Sequence, residues 1–520
     1  EGGEEALLYD SDADPVVAAE VGFEAVVENH CEAHKAGVVA VALTMGGERA
    51  LAFEIPVDLP PRGARHVAKN VELSSPVLWW PSTLGEAALY GVRTDVFTAG
   101  GGLSDAAASR AGLRVVQTYY ARPEIGRGLG FAVNGERVFL QGGNWIASDQ
   151  MLRHSAARYR NELWLLRQAG LNFVRVWGGG IAERDGFYDA ADELGLLVMQ
   201  EFWMTGDNNG RWAGEYSWPE DHKLYLAAAR DTVVALRPHA SLLFWCGGNE
   251  LGPHFVSPPP DILRGISSLL SELDPRRFFA PSSMYAQTHP GPDPPYPPFP
   301  GADDAASPHL RRRVLAEESV FAYSLSPKDG PYSPLYPQTW WDLNPGLAWL
   351  REVYALFPIA FQPEVGSFSI PTLESMATFL GEDALEQFPP KCRAGGWTEP
   401  NWEFHVYQTS CTTESGYDHI YAYGKIPDKE TYAIAAQLAQ RVQYQALFEG
   451  YRSMMWRPRT AVALWKAQSP WPALRGFLFD YELDVTGGFY GARTALTSGL
   501  GLGSGLGLGS GLGLGLVSHC

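Results

Sequence analysis

Between residues 14 and 122 the apolar positions fall in short alternating or β-branched runs, among them FEAVV (23–27), GVVAVALTM (37–45) and GVRTDVFT (91–98), parted by turn residues. Period-two alternation with regular breaks predicts an all-β sandwich of the immunoglobulin-like kind, about 100 residues long. After Phe139 the rhythm changes. A short apolar run, a helical stretch and another apolar run recur: FLQGGNW then 158–169, NFVRVWGGG then 184–194, LLVMQEFW then 224–236, SLLFWCGGNE, RFFAPSS, PIAFQPEVGS and AVALWKAQSPW. Strands alternating with amphipathic helices predict βαβ units in a parallel sheet. The length of the run, taken as 123–495, predicts an eight-stranded (β/α)8 TIM barrel with insertions.

Two stretches break these patterns. The Pro-rich segment 290–337 reads as long loops on the barrel face. From 496 to 520 Gly alternates with Leu and Ser, a low-complexity tail expected to be disordered because nothing offsets the entropy of ordering so many glycines.

Composition narrows the classes. Of the 520 residues, 46% are hydrophobic and 17 are Trp, which excludes disorder for most of the chain. A net charge of −19 repels a phosphate backbone, so no nucleic-acid partner is expected. No apolar run is long enough to span a membrane. The five Cys are far apart without a C-x-x-C pair, the His show no H-E-x-x-H spacing, and neither G-x-S-x-G nor a G-x-G-x-x-G after the first strand occurs. No metal and no cofactor is expected. The sequence names no protein partner. A soluble chain is expected, with cytoplasm and a vacuolar or lysosomal lumen both left open.

In a (β/α)8 barrel the C-terminal strand ends converge on one pocket, so what each strand ends with is the informative reading. Strand one delivers Asn144 and Trp145, with Asp149 beyond; strand two Trp177; strand three Glu201 and Trp203, with Asp207 beyond. Strand four ends in Asn249-Glu250, the sixth strand region carries Gly-Pro-Tyr332, strand seven ends in Glu364 and strand eight carries Trp465. Glu250 and Glu364 each terminate an apolar run, where a charge is costly unless used. Two carboxyl groups facing each other across a barrel mouth suit glycoside hydrolysis, one protonating the leaving oxygen and the other attacking or activating water. Asn249 suits a hydrogen bond to a sugar hydroxyl. Trp145, Trp177, Trp203 and Trp465 suit stacking on sugar rings, and Tyr332 suits a phenol bonded to the nucleophile. Glu201 and Asp207 suit hydroxyl binding or charge balance.

The stretches PVLWWPSTLGEAALYGV (76–92), LQGGNWIASDQMLR (140–153), the run 172–207 ending QEFWMTGD, WCGGNE (245–250), DGPY, QPEVGS, ALFEGYRSMMW, AVALWKAQSPWPALRGF and TGGFYG resemble glycoside hydrolase family 2, in particular its endo-β-mannosidases, with β-mannosidases and exo-β-D-glucosaminidases as near relatives. The resemblance implies Glu250 as general acid/base and Glu364 as nucleophile of a retaining double displacement, and a glycan as substrate. Within the group it implies cleavage of the Manβ1-4GlcNAc linkage of N-glycan cores; glucosamine release, or a non-catalytic glycan-binding fragment, are the alternatives. The mechanism further implies a higher proton affinity on Glu250 than on Glu364. Family members begin with a jelly-roll sandwich and continue into further sandwiches. On that comparison residues 1–13 read as a remnant of the former, and the Gly-Leu-Ser repeat stands where the latter would follow.

Overall fold

The computed structural model describes residues 18–497 apart from 123–126, 148, 150, 207–217, 252–259, 285–324, 326–329, 331, 333–334, 342–359, 367, 388–391, 394–395, 398–399, 406–416 and 457–458. The expectations for 1–13, for the tail beyond 497 and for most of the Pro-rich segment therefore lie outside the described residues.

Six strands open the chain: β1 (Ala18–Glu28), β2 (Lys35–Met45), β3 (Glu48–Leu59), β4 (Ala64–Ser74), β5 (Tyr90–Thr98) and β6 (Leu103–Ala111). They form an antiparallel pair β1-β4 and an antiparallel sheet of order β3-β2-β5-β6. Alternation puts Val27, Val39, Val41, Leu43, Val57, Val67 and Leu73 into one apolar core shared by both sheets. β7 (Val116–Arg122), within the stretch assigned to the sandwich, pairs instead with β8 (Arg127–Val133), which pairs with β9 (Glu136–Val138).

The parallel strands follow: β10 (Leu140–Trp145), β11 (Phe173–Val176), β12 (Leu197–Glu201), β13 (Leu242–Cys246), β14 (Phe279–Ala280) and β15 (Phe361–Val365). A short hairpin comes next, β16 (Cys392–Arg393) with β17 (Gly396–Trp397), and then β18 (Ala461–Leu464). Seven of them form one parallel sheet of order β14-β13-β12-β11-β10-β18-β15. The sheet is curled: Phe361 of β15 lies 5.9 Å, ring to ring, from Phe244 of β13 and 6.0 Å from Phe173 of β11. Leu325 N–H donates to Ser282 O beyond β14, and Gly330 N–H to Glu364 O in β15, so these two residues each touch one edge of the sheet.

Two clusters divide the apolar side chains by strand parity. Leu140, Phe173, Leu197, Met199, Phe244, Phe361 and Ala463 pack inside the curl, where Phe131 of β8 stacks on Phe244 at 5.0 Å. Val174, Val176, Val198, Leu242 and Leu464 face outward onto the helices α1 (Ala156–Gln168), α2 (Asp185–Leu194), α3 (His222–Leu236) and α4 (Pro260–Leu273). Ser155 caps α1 by accepting Arg158 N–H, and Asp221 caps α3 by accepting Leu224 N–H. The helix Gly487–Thr497 buries Leu496, so the first two residues assigned to the low-complexity tail are helical.

Trp79 joins the N-terminal sheets to the elements of the curled parallel sheet. It is fully buried, its indole N–H donates to Asp192 O of α2 at 2.8 Å, and the Arg114 guanidinium lies 5.9 Å from its ring. Arg114 in turn donates to Ala240 O and to Leu242 O at the start of β13. Gly195, which ends α2 in the left-handed conformation, closes the same seam. Its carbonyl accepts Ser82 N–H, and a Cβ there would stand 2.8 Å from Ser82 N. Trp79→Ala should therefore cost about 3–5 kcal/mol, read as a lower urea midpoint by tryptophan fluorescence and circular dichroism. A midpoint within error of the parent would show that the seam carries no such energy.

Candidate active site

The site begins with a residue that the sequence pattern did not single out. Arg175 occupies the third position of the four-residue strand β11, FVRV, on the parity of Phe173, so its side chain points into the curl with 0% exposure. A guanidinium there is stable only if its donors are met and its charge is balanced. Nε donates to Glu201 Oε1 at 2.9 Å, and Nη2 also lies 2.8 Å from that oxygen. Nη1 donates to Asn144 Oδ1 at 2.9 Å and Glu364 Oε1 at 2.7 Å, and Nη2 to Asn249 Oδ1 at 2.5 Å. One cation thus gathers side chains from β10, β12, β15 and the end of β13.

Each partner is held from a second side. Asn144 donates through Nδ2 to Pro363 O and Leu464 O, both at 2.9 Å, tying β10 to β15 and β18. Glu201 Oε2 accepts Gly178 N–H at 2.7 Å. Asn249 N–H donates to Met204 O, and Ser283 Oγ lies 3.5 Å from Asn249 Oδ1. Glu364 Oε2 accepts the Tyr332 hydroxyl at 2.7 Å. The β15–β18 register shifts between Gln362 and Val365, an irregularity of the sort that re-aims a side chain at a strand end.

Glu250 is held differently. Its backbone has φ 46, in the left-handed region unusual for a non-glycine residue. Its N–H donates to Ser283 Oγ at 3.0 Å, and the next N–H, of Leu251, to Ser282 Oγ at 3.0 Å. The two buried serines after β14 thereby fix a turn whose acid is half-buried, while Glu364 is 3% exposed.

Burial sets the electrostatics. Glu364 is pushed up to about 7, first by desolvation and further by repulsion from the Glu250 carboxylate, against the pull of Arg175 and the Tyr332 hydrogen bond. Glu201 is also raised by burial, which Arg175 and Gly178 N–H oppose. The carboxyl raised by burial is Glu364, the more deeply set of the two acids.

The remaining residues read from the sequence divide. Trp177 and Trp465, both partly exposed, meet edge to face at 5.4 Å. Trp203 is partly exposed and packs on Tyr225 at 5.5 Å. Asp149 is held at about 2 by its hydrogen bond to Arg153. Trp145 is not brought to the cluster. Its parity is that of the outer face, where it is buried against Phe187 and Tyr159 and donates to Glu183 Oε1. Asp207 lies outside the described residues. Arg175, Ser282 and Ser283 were absent from the predicted set; a lone charge at an inward position of an apolar strand was the signal for the first.

Arg175→Met should leave two buried carboxylates uncompensated and cost about 3–5 kcal/mol. Ionisation of Glu364 already opposes folding as pH rises from its ordinary 4.5 through about 7. The variant should widen that window, so its deficit should be smaller at pH 5 than at pH 8 in urea unfolding. A deficit independent of pH would contradict the charge balance described.

A scan of protein-family models matches none to the chain. Over 430 residues the chain is 36% identical to mannosylglycoprotein endo-beta-mannosidase of Lilium longiflorum, spanning 81% of this chain and 42% of the relative. It is 26% identical to beta-mannosidase B of Aspergillus terreus, over 82% of this chain and 47% of that protein. Among solved structures, Amycolatopsis orientalis exo-chitosanase superposes with TM-score 0.68 at 24% identity, over 92% of this chain and 51% of that one. The beta-D-mannosidase of Dictyoglomus thermophilum gives 0.69 at 22%, over 92% and 53%. The chain spans about half the length of these proteins. It shares their fold, is related to the β-glycosidases of glycoside hydrolase family 2, and in sequence resembles mannosylglycoprotein endo-β-mannosidase.

Proposed function

We propose that the chain carries the catalytic centre of a retaining β-glycosidase acting on β-mannosides. The observation that carries this reading is Glu364: a buried carboxylate fixed by Arg175 and Tyr332, with the Glu250 carboxylate near enough to raise its proton affinity. In the proposed first step Glu364 attacks the anomeric carbon and the bond to the aglycone oxygen breaks as Glu250 protonates that oxygen. In the second, Glu250 takes a proton from water, which attacks the anomeric carbon and releases Glu364. Attack requires ionised Glu364, which Arg175 and the Tyr332 hydroxyl favour. As negative charge leaves Glu364 for the new bond, repulsion on Glu250 falls, and Glu250 then serves as base.

Asn249, positioned by Arg175 and beside Glu250, is the proposed donor to the sugar 2-hydroxyl. Trp177 and Trp465 form the proposed apolar wall, with Asn144 and Glu201 supporting from beneath. Asp149, Trp203 and Asp207 are kept as proposed hydroxyl or ring contacts, and Trp145 as a supporting core residue. The similarity to the Lilium protein supports the Manβ1-4GlcNAc linkage of N-glycan cores as the bond cut. The same reading treats 14–122 as an immunoglobulin-like sandwich and 123–495 as a (β/α)8 barrel, which the antiparallel sheets and the curled seven-stranded sheet support.

The purified chain should release p-nitrophenol from the aryl β-mannoside and cleave an N-glycan core fragment. Glu364→Ala should abolish both, at least 10³-fold by rough analogy with loss of other nucleophiles. Glu250→Gln should be spared most on substrates whose leaving group needs no proton. The acid limb of kcat/KM should have its midpoint near 7, where Glu364 ionises in the free chain. Equal release by the chain and both variants would end the hydrolase reading, and faster turnover of the aryl glucosaminide would replace the mannoside one.

A further inference from the structure

At the end of β18 a second cation stands beside the carboxylate cluster. Lys466 is 5% exposed and directly follows Trp465, whose N–H donates to Val365 O at 2.8 Å. Val365 faces Leu464 in the β15–β18 register, so Glu364 and Lys466 flank this hydrogen bond from neighbouring strands. The Lys466 ammonium lies 5.2 Å from the Trp465 ring centroid. On the other side Ala467 N–H donates to Asn144 O at 3.1 Å, so the segment is clamped between β15 and β10. Arg175 bonds two carboxylates, Glu201 and Glu364, and the Glu250 carboxylate repels Glu364; an ammonium is buried at such a place only against negative charge.

We propose that Lys466 is a positioning residue that supplies a second positive charge to Glu364, acting through the field at the carboxylate and not by touching substrate. Its importance for turnover rests on the hydrolase reading, while the coupling itself does not. Lys466 is lowered to about 7, chiefly by burial and further by Arg475, while Glu364 pulls it up. Among the described residues, the groups acting on Glu364 include Arg175 from β11, Glu250 after β13, Tyr332 and Lys466, and those acting on Lys466 include Arg475 and Glu364. Because the lysine itself deprotonates near neutrality, its help is confined to the acid and neutral range, where Glu364 would otherwise be protonated.

The carboxylic acid C=O band of Glu364, isolated as the infrared difference between the chain and its Glu364→Gln variant, reports that titration with or without turnover. In the Lys466→Met and Lys466→Gln backgrounds, each against its own Glu364→Gln partner, the midpoint should rise by about one unit, a roughly tenfold gain in proton affinity. Lys466→Arg, charged at every pH, should leave the midpoint in place or lower it. The acid limb of kcat/KM should move with the infrared midpoint, so that the neutral variants lose about tenfold at pH 6 and recover toward pH 9. A folded neutral variant with an unmoved midpoint, or a rise in Lys466→Arg, overturns the proposal. A shifted infrared midpoint without turnover in any form, the unmodified chain included, supports the coupling and removes the hydrolase reading instead.

Discussion

The buried guanidinium of Arg175 is the constraint on which the rest of the centre depends. Its planar fork reaches Glu201, Asn144, Glu364 and Asn249 at once, and with them the ends of four strands. A lysine could carry the charge but could not supply divergent donors in one plane, and it would lose its proton under the same burial. Burial, which Arg175 offsets only in part, raises both Glu201 and Glu364 while they remain hydrogen-bonded. The arrangement stabilises geometry more than it stabilises the fold, since ion pairs at such depth lose in desolvation much of what they gain in attraction.

The asymmetry between the two acids follows from where their strands end. Glu364 follows a register shift in a fully buried strand and is bonded by both oxygens, one to Arg175 and one to Tyr332. Glu250 sits one residue beyond the buried Asn249 in a left-handed turn pinned by Ser282 and Ser283, and its side chain is half-buried. A fixed, deeply set carboxylate suits attack along one line. A shallower one suits proton exchange with a leaving oxygen and with incoming water.

Much of this was legible in the sequence, for definite reasons. An acid that closes an apolar run is conspicuous, so Glu201, Glu250 and Glu364 stood out, and the alternating runs gave the curled parallel sheet its strands. The sequence misled where residue type was weighed without parity: Trp145 is next to Asn144, so if one points inward the other faces the helices. Arg175 is not legible among strand ends because it lies inside a strand. Ser282 and Ser283 act through backbone N–H groups of a turn thirty or so residues away, a pairing that only the folded chain brings about. Where the N-terminal antiparallel sheets give way was not legible, because β7 follows β6 closely in sequence yet pairs with β8.

In the proposed mechanism Glu364 forms the bond to the sugar. Incubation of the chain with an activated 2-deoxy-2-fluoro-β-mannoside, which slows release of the covalent intermediate, followed by peptic digestion and mass spectrometry, tests it directly. One fluoromannosyl adduct is expected on the peptide containing Glu364, and none in Glu364→Ala. An adduct on Glu250, or steady hydrolysis of β-mannosides with no adduct at all, would contradict it.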